Sequence, residues 1–144
     1  MTRREFISRA SGAAVAASPI AARSERALKH VVYFTHSAGY RHEVIPLSQQ
    51  IVQQLGRHSG TFDVTPTEDV TVFTTGNLAR YAAVIFYTSG ELPMSPAQKA
   101  ALLEFVRLGG GFLGLHSATD TFYTWPDYLD LVGGYSMIIL GIRR

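Results

Sequence analysis

His116 and Asp120 lie four positions apart, just after the apolar run Phe112-Leu113-Gly114-Leu115, which itself follows the glycine triplet 109–111. An imidazole beside a carboxylate is the simplest general acid–base pair a protein can assemble near neutral pH. Here it falls where a buried strand ends, the edge at which open α/β sheets hold ligands. A second cluster, His36-Ser37-Ala38-Gly39-Tyr40-Arg41-His42, follows another strand-like run, His30-Val31-Val32-Tyr33-Phe34-Thr35. Placed at one sheet edge, His36, His42 and His116 with Asp120 form a nitrogen and oxygen donor set, so a divalent metal is a candidate cofactor. Against each reading stands a structural one: His36 and His42 brace their loop, His116 is hydrogen-bonded inside its own, and Asp120 caps a following helix. Ser117 does not occupy the central position of a Gly-x-Ser-x-Gly elbow and reads as a turn-stabilising hydroxyl.

The elements that position these groups alternate. After the strand at 30–35, the residues from Val44 to Leu55 carry Leu47, Ile51, Val52 and Leu55 on one helical face, with Gly56 near the stop. Phe62–Thr65 is a short second strand, Asn77–Tyr81 a helical turn and Ala82–Thr88 an apolar third strand. Ser95-Pro96-Ala97-Gln98 has the form of a capping box with proline at the first helical position. Ala101, Leu102, Phe105 and Leu108 are then the buried face of that helix, Gly109 and Gly110 its end, Phe112–Leu115 a fourth strand and Pro126–Val132 a short helix. Strands separated by helices predict parallel pairing with right-handed crossovers, hence a three-layer α/β sandwich.

The chain has 144 residues, 47% of them hydrophobic, enough for one compact domain. Its first 22 residues differ in kind. Thr2-Arg3-Arg4-Glu5-Phe6-Ile7 followed by the alanine-rich run from Ala10 to Ala22 has the order of a twin-arginine (Tat-type) signal peptide, with Ala22 the first candidate cleavage position. This predicts a periplasmic or secreted protein whose leader engages the Tat export machinery. Without Arg3, Arg4, Arg9 and Glu5, the 13 basic and 11 acidic residues become ten of each. No basic face suited to nucleic acid is expected from that balance. Cysteine is absent, which excludes disulfides and thiolate chemistry, and beyond the leader no apolar run approaches the ~20 residues of a membrane span.

Four ordered segments together resemble the ThuA (trehalose utilisation) family: Val-Tyr-Phe-Thr-His-Ser-Ala-Gly-Tyr-Arg-His at 32–42, Thr-Glu-Asp at 67–69, the 109–120 segment and Trp-Pro-Asp-Tyr at 125–128. The resemblance covers nearly everything from His30 to Tyr135, a domain spanning 28–135. It implies a flavodoxin-like sandwich related to class I glutamine amidotransferases, in which a cysteine occupies the strand-to-helix elbow. The corresponding residue here is His116, so amidotransferase chemistry is unavailable. The family further implies sugar handling, of trehalose-type disaccharides or their 3-keto forms. Residues 136–144, Ser-Met-Ile-Ile-Leu-Gly-Ile-Arg-Arg, depart from the family pattern, and the expectation is a C-terminally truncated sheet with a divergent tail.

Sugar rings present C–H faces that stack on aromatic planes, and their hydroxyls need polar partners. His36, Tyr40, Arg41, His42, Tyr123 and Trp125 are therefore the candidate carbohydrate-binding residues, with His116 and Asp120 the catalytic pair. Among the aromatics Tyr40, Phe122, Tyr123, Trp125 and Tyr128, about half are expected to be packing, Trp125 and Tyr128 first. Two functional classes compete: a carbohydrate-active enzyme using His116 as acid or base, and a non-catalytic sugar-binding or interaction domain; an inactive fragment is a third. For the leader the expectation is direct: replacing Arg3 and Arg4 by lysine retains the protein in the cytoplasm, and unchanged periplasmic recovery on fractionation refutes the signal.

Overall fold

The computed structural model describes residues 27–135; the leader at 1–22 and the tail at 136–144 lie outside the described residues. Four strands, β1 (Lys29–Phe34), β2 (Phe62–Thr67), β3 (Ala83–Phe86) and β4 (Gly111–Gly114), form one parallel sheet in the order β2-β1-β3-β4. Their registers are set by Val31 opposite Val64 and Ala83, and by Ile85 opposite Leu113. β1 and β3 are neighbours although the chain runs out to β2 between them, so strand order reverses between β1 and β3. A crevice opens at such a reversal, outside the carboxyl ends of the strands. The α/β sandwich read from the sequence is the observed architecture.

One face of the sheet carries α2 (Thr75–Leu78), α3 (Pro96–Arg107) and α4 (Pro126–Val132). Val32, Phe34, Val84 and Phe86 point into this layer and meet Phe73, Leu78, Leu102, Phe122 and Tyr128 in the main core. Aromatic edges lock it: Phe34 meets Phe73 at 4.8 Å and Phe86 at 5.3 Å between ring centroids. The start of α3 is the capping box anticipated from Ser95 and Gln98, each side chain bonding the other's backbone N–H, and the Gln98 amide also donates to the Val70 carbonyl at 2.8 Å.

The opposite face is covered by α1 (Ile45–Ser59) alone among the described residues. Here the periodicity misled. Leu47, Ile51 and Leu55 are roughly half-exposed, whereas Ile45 and Gly56 are buried and Ser48, Gln49 and Val52 partly so. The seam beneath the helix is polar but paired: Tyr33 donates its hydroxyl to Ser48, and the Gln49 amide donates to the Thr35 hydroxyl. Buried polar groups that find partners cost little, so the seam is tolerated. Nor does Gly56 stop the helix. It lets α1 sit on β2, and the left-handed Gly60 ends the helix instead. Leu108, expected on the buried face of α3, is exposed beyond its last turn. β2 extends through Pro66, which an edge strand accommodates.

A Cβ at Gly56 would stand 2.7 Å from the Phe62 carbonyl oxygen. Gly56→Ala is expected to destabilise the protein by about 1–3 kcal/mol in urea denaturation through this overpacking. The helix-propensity gain of up to about 1 kcal/mol offsets only part of that. Unchanged or increased stability would show that α1 is free to shift outward.

Candidate functional site

The carboxyl ends of β1, β3 and β4 continue past the sheet proper as loops tied to one another. Ser37 bridges Ser89, and Gly90 bridges Thr121. The Ser89 carbonyl accepts from the amides of Ala38 and Gly39, and the Ser89 hydroxyl donates to the Tyr40 carbonyl at 2.6 Å. The Gly90 amide donates to the Asp120 carbonyl at 2.7 Å, and its own carbonyl accepts from Phe122. Ser89-Gly90 thus stands between the loop carrying His42 and the loop carrying His116. Gly90 adopts φ 77°, and a Cβ on it would lie 2.5 Å from the Gly39 nitrogen. Only glycine permits both the backbone angle and the approach.

The consequence is a cluster over the crevice between β1 and β3. The rings of His42 and His116 meet at 4.5 Å, Tyr40 packs on His42 at 4.8 Å, and Tyr87 touches both histidines, at 5.7 and 5.6 Å. His116 is exposed and has φ 48°, a left-handed conformation that a non-glycine residue holds at a cost. Asp120 sits at the end of a 3₁₀ turn spanning His116–Asp120 and is only 7% exposed. Burial pushes its carboxyl above the usual aspartate range, and nearby His42 partly opposes that rise. It caps no helix: the residue at the start of α4 is Trp125. Two neighbouring imidazoles, with a buried carboxyl close enough to His42 to feel its charge, are groups that can accept and donate protons.

Other candidates have different surroundings. Arg41 forms a bidentate pair with Glu68, at 2.7 and 2.8 Å, which holds the Glu68 carboxyl below its ordinary range. His36 bonds through Nδ1 to the Glu68 carbonyl at 2.9 Å and stacks on Phe34. Both residues therefore tie the first loop to the end of β2, the bracing reading, instead of joining the histidine pair. The three-histidine metal set is not assembled: among the described residues no three His, Asp or Glu side chains come together in metal-binding geometry. Tyr40 is 68% exposed and offers a ring at the rim. Trp125, 8% exposed, is core, stacked on Tyr128 with the Lys99 ammonium 5.1 Å from its ring. Tyr123 packs on Tyr135 with its hydroxyl enclosed and unpaired.

Tyr87, Ser89 and Gly90 carry no role in the sequence reading, and Glu68 enters it only as part of the Thr-Glu-Asp segment at 67–69. Tyr87 lay inside the apolar run assigned to the third strand, and only the earlier end of that strand at Phe86 turns it into a site residue. The glycine at 90, just after that run, was the available signal for a special backbone.

No helix among the described residues is long and apolar enough to cross a membrane. Nothing among curated proteins matches the chain. A solved structure of a ThuA-like protein from Bacteroides uniformis superposes with a TM-score of 0.57 at 21% identity, covering 74% of this chain and 44% of that one. The chain thus spans less than half the length of that relative, and the likeness speaks to the fold. The family model described as ThuA, trehalose utilisation, matches residues 30–138. With the match extending over most of its length, the chain belongs to the ThuA family.

Proposed function

We propose that this protein is an exported carbohydrate-active member of its family, with His116 as the general acid or base and the carboxyl of Asp120, four residues on, as the second member of the pair. The observation that carries the reading is the His42–His116 contact at the crevice where strand order reverses. Holding an imidazole at a left-handed elbow costs conformational energy, and such strain concentrates where a side chain must be presented to a ligand. The substrate class is a neutral disaccharide of the trehalose type or its 3-keto derivative. A keto group acidifies the adjacent C–H, and that proton is within the capacity of an imidazole base. His42 at the second imidazole position and the exposed Tyr40 ring supply a polar contact and a stacking surface. Export rests on the twin-arginine pattern at Arg3-Arg4 and the alanine-rich run that follows.

His116→Asn retains a residue that tolerates left-handed backbone while removing the imidazole. It is expected to lower turnover of 3-ketotrehalose by ~10²–10⁴ with little change in melting temperature. Full turnover in this variant, or sugar binding without any transformation by the wild type, refutes the enzyme reading in favour of a binding domain.

Asp120 yields a second prediction, on stability. Because its folded-state pKa lies above the unfolded value, the fold prefers the neutral carboxyl. Stability from this group is greatest in acid and declines as pH rises through the ordinary aspartate range, about 4, towards the raised folded value. Asp120→Asn should therefore be more stable than wild type at pH 7, with the difference vanishing near pH 3, as thermal melts across that range would report. A variant less stable than wild type at pH 7 would mean that the carboxylate is structurally required.

A further inference from the structure

Tyr87 follows the last residue of β3 and stands on the α1 face of the sheet, in the small core formed with Tyr33 and Ile45. The residue is 7% exposed, and its ring forms the wall shared by both imidazoles. The buried tyrosines Tyr33 and Tyr128 spend their hydroxyls on protein partners, Ser48 and the Ala118 carbonyl, as does the half-buried Tyr135 on the Phe122 carbonyl. The enclosed Tyr123 hydroxyl is the one fully buried side-chain oxygen without a partner among the described residues. The Tyr87 hydroxyl has no hydrogen bond to any described residue and is not fully enclosed, while its ring packs against both imidazoles. A ring held by packing with a free hydroxyl at its tip is a pre-positioned hydrogen-bonding group.

We propose that the Tyr87 hydroxyl is a substrate-contacting group, hydrogen-bonded to a hydroxyl or carbonyl oxygen of the sugar held against His42 and His116. This rests on the sugar-site reading above. Burial keeps the phenol pKa above its ordinary value, so the group remains a neutral donor throughout the physiological range. The loops after β1, β3 and β4 then each contribute one polar group to the ligand: His42, Tyr87 and His116.

The test is an NMR titration of the full chain with trehalose, and in parallel with 3-ketotrehalose, following the imidazole resonances of His42 and His116. Tyr87→Phe preserves the ring and its packing. It should weaken binding about five- to ten-fold, the value of one neutral hydrogen bond, at an unchanged melting temperature. Tyr33→Phe, which loses the bond to Ser48, is the control: its melting temperature falls while its affinity for the sugar is unchanged. Equal affinity of wild type and Tyr87→Phe overturns the role of Tyr87 and leaves the sugar site standing. Weaker binding accompanied by a matching loss of stability assigns Tyr87 to the scaffold and also overturns it. If the wild type perturbs neither imidazole with either sugar, the sugar-site reading falls and this role falls with it.

Discussion

The approach of Gly90 to Gly39 is the contact on which the site depends. A side chain on Gly90 would drive into the Gly39 backbone, and the five hydrogen bonds that stitch Ser89-Gly90 to its two flanking loops require that closeness. Each such bond contributes about 0.5–1.5 kcal/mol net, so the seam is worth a few kcal/mol in all. That is enough to hold two loops of different strands in one geometry. His42 and His116 meet because the loops that carry them are fastened, at 38–40 and at 120–122, to the same dipeptide, with no direct bond between the rings required.

Beneath this seam the two faces of the sheet work differently. The layer with α2, α3 and α4 is an aromatic core in which Phe73 meets Phe34 and Phe86 edge to face, the geometry that adds directional preference to burial, and Phe34 and Phe86 pack at a tilt. Under α1 the contact is a polar seam, with paired hydroxyls and one amide beside a glycine. The aromatic layer secures the sheet, and the α1 face leaves room for Tyr87 and the histidines at its upper end. Arg41 and Glu68 add a tie between the first loop and β2.

Much of the fold was legible because it depends on local signals. Alternating apolar runs and helical patterns, the Ser95–Gln98 box and the glycines closing α3 each report on neighbouring residues, and each corresponds to the structure. What failed were inferences about which face is inside. Leu47, Ile51 and Leu55 make a proper apolar stripe, but Gly56 lets a different face come closer to β2, and proximity decided the packing. In the site, the sequence identified His42, His116 and Asp120 as strand-end residues, and topology brought them together. It could not reveal that Arg41 is neutralised by Glu68, since that pair joins positions separated by a helix and a strand. Trp125 was open to both roles, as sugar platform and as packing, and the structure bears out the expectation that it and Tyr128 are the first of the aromatics to be core.

The polar seam under α1 also bears on the order in which the chain can be assembled. A segment comprising β1, α1 and β2 holds few fully buried apolar side chains of its own, and Phe34 has no aromatic cluster to enter until Phe73 and Phe86 have been synthesised. During translation the amino-terminal half therefore gains little by ordering early. Pairing of β3 with β1 brings Phe86 against Phe34 and Phe73 and, with the same strand, delivers Ser89-Gly90 to the first loop. Leu102, Phe122 and Tyr128 of that layer and His116 of the site all follow β3 in the chain, so the segments that finish the core are also those that finish the site.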